Sequence, residues 1–297
     1  LLNDIKLEQQ LPVANTLGEG VIWDHRTQLL YWTDIHNNLL YCTNLNGDIN
    51  TFPCPEKLCS FGLSLDPQWF ICAFASGFAF FNPSTQQIQW IVKTPVSLPN
   101  LRMNDGRVDR QGRFWAGSMV EPPMAEHLTG ALYRLNLDSS LSEQLTGIEI
   151  ANSLCWSPKA DKVYFADSPK RRIDVAEFDP LTGDMGQLQL FATTEPGAYP
   201  DGACIDNEGC LWSAQWGSSS VKRYSPEGQL LLTLALPCQQ PSCVSFAGPD
   251  LQYLCITSAR QGLQSDTLSQ DDGDIFIFTT PYRGLPEAIC RMEIPKN

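Results

Sequence analysis

One short element recurs six times along this chain. A turn carrying Asp, Pro, Gly or Asn leads each time into four residues rich in aromatic and aliphatic types. The copies are Tyr31-Trp32-Thr33-Asp34, Phe70-Ile71-Cys72-Ala73, Phe114-Trp115-Ala116-Gly117, Tyr164-Phe165-Ala166-Asp167, Leu211-Trp212-Ser213-Ala214 and Leu254-Cys255-Ile256-Thr257. Their first residues are spaced 39, 44, 50, 47 and 43 apart. A second β-like run follows each copy, from Leu39-Leu40-Tyr41-Cys42 to Ile275-Phe276-Ile277-Phe278, closed by turn residues such as Asn46-Gly47, Asn82-Pro83 and Asp179-Pro180. This is hairpin chemistry. A unit of this size cannot bury both faces of its own small sheet, so the units must stack, and radial stacking closes into a ring. The sequence therefore predicts an all-β fold, a six-bladed β-propeller of four-stranded antiparallel blades, as a single domain over residues 1–297. Similar strands in paired β-sandwiches are the competing arrangement. Ring closure requires the segment Leu7 to Val13 to pair into the blade that also holds Ile289 to Ile294, since an open ring would leave a sheet edge unpaired.

Charge narrows the partners. Twenty basic against 33 acidic residues leave a net −13, which repels a phosphate backbone or an anionic membrane surface over most of the molecule. Nucleic acid is not expected as a partner, and no apolar run approaches the roughly 18 residues that a membrane helix needs. A divalent cation or a neutral polar small molecule suits this field, although acidity of this size also serves solubility. The eleven cysteines form no CxxC pair, and several, such as Cys72, Cys210 and Cys255, stand inside apolar runs. They read as reduced, packed thiols, and so as a sign of a cytoplasmic location.

The polar residues that break the pattern fall at one place in each repeat. Ten to twelve residues before the aromatic run, where the innermost strand of a blade should begin, stand Glu19, Ser60, Arg102 with Asn104 and Asp105, Asn152, Asp201 and Ser242. Equivalent points of successive blades converge on one mouth of a propeller channel. Residues as far apart in sequence as Glu19 and Asp201, 182 positions, are thus expected to surround a single point. Carboxylates and amide oxygens forced together in a partly buried mouth repel one another unless a cation joins them. An all-oxygen set suits Ca²⁺, Mg²⁺ or Mn²⁺ better than a soft metal. Strand-start caps and Asx turns would use the same residue types. Other chemistry is poorly supplied: His25, His36 and His127 form no HExxH arrangement, and there is no GxSxG elbow, phosphate loop or GxGxxG.

Taken in order, Gly18-Glu19-Gly20, Arg102-Met103-Asn104-Asp105-Gly106, Phe114-Trp115-Ala116-Gly117-Ser118-Met119, Ala151-Asn152-Ser153-Leu154, Ala166-Asp167-Ser168 and Pro200-Asp201-Gly202 resemble the regucalcin/gluconolactonase family. The resemblance runs over almost the whole chain. It implies a six-bladed propeller that binds one divalent metal ion in its channel, Ca²⁺ foremost with Mg²⁺, Mn²⁺ or Zn²⁺ as substitutes, and that hydrolyses a small-molecule sugar lactone. Carried over by position, the metal ligands fall on Glu19, Asn152 and Asp201, the substrate contacts on Arg102 and Asn104, and the proton-transfer residue on Asp201. Glu121 stands where the family often has a substrate-contacting acid. The chain departs from the family in having Val21 where Pro is usual and Ser153 where Gly is usual, changes that bear on turn geometry. A metal-dependent esterase or phosphotriesterase on the same scaffold, or a non-catalytic calcium-binding propeller, are the alternative functions. The long segments Glu121 to Thr129 and Arg260 to Asp272 are expected to form a rim over the mouth.

Overall fold

The computed structural model describes residues 4–93, 100–121 and 128–294. Six sheets stand in a ring, each with four antiparallel strands from the repeat: a six-bladed β-propeller. Counted from the channel outward, blade 1 holds Gly18–Asp24, Leu29–Asp34, Leu39–Thr43 and Ile49–Pro53, and blade 2 holds Leu58–Ser64, Phe70–Phe74, Gly77–Asn82 and Gln87–Lys93. Blade 3 holds Leu101–Val108, Phe114–Val120, Gly130–Leu135 and Leu141–Ile148. Blade 4 holds Ala151–Trp156, Lys162–Asp167, Arg172–Glu177 and Gln189–Thr193, and blade 5 holds Tyr199–Ile205, Leu211–Trp216, Ser220–Tyr224 and Leu230–Ala235. Blade 6 takes Pro241–Ala247, Tyr253–Ser258 and Ile275–Thr279 from late in the chain and its outermost strand, Lys6–Leu11, from the beginning. Each aromatic run read from the sequence is a second strand, and each following run is a third strand.

Burial explains the pattern of types. Inner strands such as Leu58–Ser64 and Pro241–Ala247 are buried at every residue, because both faces meet neighbouring blades. The outermost strand Leu230–Ala235 is exposed at all but two positions, Leu232 and Leu234. Each inner strand packs on the inner strands of both neighbouring blades, so the ring is continuous. Trp32, Trp115 and Trp212 occupy equivalent places in blades 1, 3 and 5 and are fully buried between the sheets. Two of them are latched by an acid at the end of the adjacent inner strand: Trp115 Nε1 donates to Asp109 Oδ2 at 3.0 Å, and Trp212 Nε1 to Asp206 Oδ2 at 2.9 Å.

Ring closure departs from expectation in one respect. Lys6–Leu11 does close a blade, pairing antiparallel with Ile275–Thr279. The segment around Ile289 does not join that blade: Ile289–Cys290 pairs in parallel with the inner strand of blade 2, Ile289 opposite Leu63 and Cys290 opposite Ser64. The physical reason lies in the channel. An inner strand exposes an unpaired edge toward the axis, and an apolar tail that reaches it satisfies backbone groups while burying Cys290 and Met292. On its way the tail crosses the mouth formed by the C-terminal ends of the inner strands, where Glu287 accepts from Arg107 Nη2 at 2.8 Å and Nε at 3.2 Å, and from Ser245 Oγ at 3.2 Å. Beneath the tail a cavity of about 30 Å³ remains, room for a single water, and a wider hollow of about 350 Å³ lies beside it at Leu65, Arg110 and Arg291. The other mouth stays open. No helix among the described residues is long and apolar enough to cross a membrane.

Candidate active site

The open mouth is built by a repeated irregularity. Every inner strand slips register against its second strand near its start: between Glu19 and Ile22, Leu58 and Ser60, Met103 and Gly106, Asn152 and Cys155, Pro200 and Ala203, and Pro241 and Cys243. A β-bulge of this kind bends the strand and re-aims a side chain that regular pleating would send between the sheets. The polar residues at the repeat's fixed place stand at or inside these bulges, except Arg102, which lies one residue ahead of its own. Gly20 and Ser153, directly after Glu19 and Asn152, both adopt φ near 60°, the left-handed conformation that completes the kink. Serine at such a position is strained, and Ser153 Oγ offsets part of that cost by donating to the Asp201 carbonyl at 2.5 Å.

A cavity of about 330 Å³ opens here, with Glu19, Arg102, Asn104, Asn152 and Asp201 in its lining. Four blades thus deliver the residues singled out by position. Ser60 and Ser242 from blades 2 and 6 are buried but do not line it; Ser242 Oγ bonds the Gly18 carbonyl and Thr257 Oγ1 instead. The remaining wall is largely apolar, from Leu17, Met119, Val120, Ile150 and Pro169, with Tyr199 and Trp216 paired across two strands of blade 5. Those two aromatics, together with Ser168, are lining residues that no repeat position pointed to. Gln261, from one expected rim segment, reaches the mouth and takes a hydrogen bond with His36 Nε2 at 3.0 Å. The other rim segment lies mostly outside the described residues, as does His127.

The side chains form one bonded group. Arg102 Nη1 donates to Asn104 Oδ1 at 2.7 Å and to the Met103 carbonyl at 2.9 Å, and its Nε donates to Glu121 at 2.9 Å. Asn104 Nδ2 donates to Asn152 Oδ1 at 3.2 Å and to the Ala151 carbonyl at 2.9 Å. Glu121 sits beside Arg102 and is also held by Lys57 Nζ at 2.8 and 2.9 Å. Burial opposes its charge, but the Lys57 hydrogen bonds and the Arg102 guanidinium win and hold its carboxyl below the usual range. Glu121 therefore fixes Arg102 from behind rather than lining the cavity.

The acids inside the mouth behave in the opposite way. Glu19 is pushed up from its ordinary 4.5 to about 8, by burial first and then by the charge of Asp105. Asp201 is raised well above the usual carboxylate range by burial, Glu19 and Asp105, in that order. Asp105, raised by burial, accepts the Leu154 N–H at 3.1 Å. Arg102 eases Glu19 and Asp201, and Arg107 eases Asp105, but among the described residues none of the three carboxyls is in a salt bridge and burial outweighs the arginines, which leaves a deficit of positive charge at one place. This donor set fits a hard divalent ion.

A second set of metal-capable groups, Asp206, Glu208 and Cys210, lies at the far end of the blade 5 inner strand. Its charge is already answered: Arg223 Nε donates to Asp206 Oδ2 at 2.8 Å and Nη2 to Glu208, while Trp212 Nε1 and the Cys210 N–H use the remaining Asp206 capacity. Asp109 with Arg113 and Trp115 repeats the arrangement in blade 3, so this is a structural latch.

Fold and mouth together define a six-bladed propeller that places acids, amides and an arginine on the channel axis. Residues 17–260 match the family described as SMP-30/Gluconolactonase/LRE-like region, and the chain belongs to that family. It is 40% identical over 282 residues to the L-arabinolactonase of Azospirillum brasilense, covering 92% of both chains. It is 35% identical over 259 residues to the 6-deoxy-6-sulfogluconolactonase of Pseudomonas putida, covering 86% of this chain and 87% of that one. Among solved structures it superposes on a calcium-binding protein, regucalcin, from Agrobacterium tumefaciens with a TM-score of 0.90 at 26% identity, covering 96% of this chain and 98% of the other.

Proposed function

We propose that the chain hydrolyses a sugar lactone to the aldonic acid, using one divalent cation held at the open mouth by Glu19, Asn152 and Asp201. The observation that carries this reading is the pair of cavity-lining carboxyls, Glu19 and Asp201, whose proton affinities are raised by burial and by neighbouring acids although Arg102 shares the cavity, and neither of which is held in a salt bridge among the described residues. The all-oxygen set favours Ca²⁺ and admits Mg²⁺, Mn²⁺ or Zn²⁺. The named lactonase relatives support the reaction, and the calcium-binding regucalcin supports the ion. When bound, the cation supplies Lewis-acid polarisation of the lactone carbonyl and offsets the charge that develops on its oxygen.

The chain's own residues do the rest. Asp201 takes a proton from the attacking water, and as the acyl bond to the ring oxygen breaks it returns that proton to the oxygen that leaves. Water is consumed, one ester bond is cleaved, and the acid produced ionises at neutral pH. Arg102, held by Glu121 on one side and Asn104 on the other, presents a fixed planar donor to the sugar oxygens and to the product carboxylate. Asn104 positions both Arg102 and Asn152. The apolar wall excludes water from the lactone face turned away from these groups. Because the groups come from blades 1, 3, 4 and 5, the activity requires the whole ring acting as one domain. The eleven buried, unpaired thiols support a reducing location such as the cytoplasm.

Proton release from a panel of aldonolactones tests this, on protein stripped with a chelator and resupplied with Ca²⁺, Mg²⁺, Mn²⁺ or Zn²⁺. Hydrolysis is expected only with a cation. Undiminished hydrolysis in chelator would overturn the role of the ion. Failure of folded, cation-loaded protein on every lactone, with turnover of an aryl ester or phosphotriester instead, would overturn the reaction.

A further inference from the structure

A carboxamide ligand has a problem that a carboxylate does not: half a turn about its last torsion replaces the oxygen with an NH₂ group, which repels a cation. Something must choose the face that Asn152 shows. Ser168 Oγ lies 2.8 Å from Asn152 Nδ2 and 2.7 Å from the Pro200 carbonyl oxygen. The carbonyl has no proton to give, so the single hydroxyl hydrogen of Ser168 is used there. What remains on that oxygen can only accept, and only the NH₂ side of Asn152 can donate to it. Asn152 Oδ1 is thereby turned to the other side, where Asn104 Nδ2 meets it at 3.2 Å.

The same logic closes from the opposite end. Arg102 has donors and no acceptors, so the oxygen of Asn104 must face Arg102 Nη1 and its NH₂ must face Asn152. One chain of donors therefore runs in a single direction, from Arg102 through Asn104, Asn152 and Ser168 to the Pro200 carbonyl, across blades 3, 4 and 5. An obligate donor stands at one end and an obligate acceptor at the other. Ser168 itself is 5% exposed, and its backbone N–H is held by the Ile150 carbonyl at 3.0 Å, so the hydroxyl has little freedom to leave.

We propose that Ser168 is a positioning residue: it locks the oxygen of Asn152 toward the cation and ties that ligand to the backbone immediately before Asp201. The proposal rests on the cation reading above. Asn104 occupies one lone pair of Asn152 Oδ1, which leaves the other for the ion. A hydrogen bond that orients a ligand in this way typically changes metal affinity 10- to 100-fold.

The test is Mn²⁺ binding, followed by the loss of the free-ion paramagnetic resonance signal, alongside the unfolding midpoint of each variant in chelator. Ser168→Ala is expected to bind Mn²⁺ at least ~10-fold more weakly than the parent, with Ser168→Thr recovering most of the loss. In an Asn152→Asp background, where either face shows oxygen, Ser168→Ala is expected to cost little, about threefold or less. Parental affinity in Ser168→Ala would overturn the role. An equal loss in both backgrounds would overturn it too, because a merely structural effect ignores which group it supports. No Mn²⁺ binding by the parent protein would bring down the cation reading itself, and this inference with it.

Discussion

Without the proposed cation, this protein's stability should fall as pH rises from mild acid to neutrality. The sign follows from Glu19. Burial, then the charge of Asp105, pushes its carboxyl up to about 8 in the folded chain from the ordinary 4.5, so between those values the folded chain carries a proton that the unfolded chain has lost. Stability is then highest below about pH 4.5 and declines through the window up to about 8. At about 1.4 kcal/mol per pH unit the gap sets a ceiling of ~5 kcal/mol. Glu19 is partly open to the channel, and water there screens it, so a loss of about 2–4 kcal/mol is the working expectation. Asp201 adds to the slope in the same direction, and its shift depends in part on the charge of Glu19. His36 acts in the opposite sense: burial and Arg102 lower its affinity for a proton, so its contribution improves stability as pH rises. The assay is urea unfolding in chelator at pH 5, 6.5 and 8, with and without the Glu19→Gln change. The parent should lose at least the stated amount, Glu19→Gln should lose about 2 kcal/mol less and keep the part due to Asp201, and added Ca²⁺ should flatten the parent's curve most. A flat parent curve, or the same slope in Glu19→Gln, would refute the reasoning.

Two further outcomes follow from the same geometry. Asp201→Asn keeps an oxygen near the ion but no base, and is expected to cut kcat/KM for the preferred lactone by ~10²-fold or more with circular dichroism unchanged; activity within about threefold of the parent would remove Asp201 from proton transfer. Gly202 abuts blade 6 so closely that an added Cβ would lie 2.6 Å from Cys243 Sγ and 2.8 Å from its Cα, and Gly202→Ala should therefore cost about 1–3 kcal/mol in unfolding experiments and lower turnover by displacing Asp201. An unchanged thermal midpoint would mean that the two inner strands separate more readily than their packing implies.

The ring was legible in the sequence because the second strand of each blade is buried on both faces and announces itself as an apolar run at regular intervals. Phe114-Trp115-Ala116-Gly117 and its counterparts had to be strands of this kind. The outermost strands, such as Gln87–Lys93, are half-exposed and carry no comparable signal, and neither does the destination of a short tail such as Ile289–Cys290. The cluster of Glu19, Arg102, Asn104, Asn152 and Asp201 could be read from position alone, since a propeller brings equivalent positions together. Ser168, Tyr199 and Trp216 could not, because strand ends and turns set their approach to the mouth and no repeat position marks them. Glu121, placed near the site by the resemblance, is held by Lys57, 64 positions away, and by Arg102, a pairing that no spacing in the sequence announces.

The closure of blade 6 sets a condition on how the molecule is made. Leu11 pairs with Ile275, 264 residues later, so Lys6–Leu11 leaves the ribosome long before the strand it joins. At ordinary synthesis rates it waits roughly 13–50 s without its partner. Its sequence, Lys6-Leu7-Glu8-Gln9-Gln10-Leu11, is polar and charged enough to remain dissolved for that interval without seeking another edge. The strand that waits to close the ring is thus one whose composition tolerates delay.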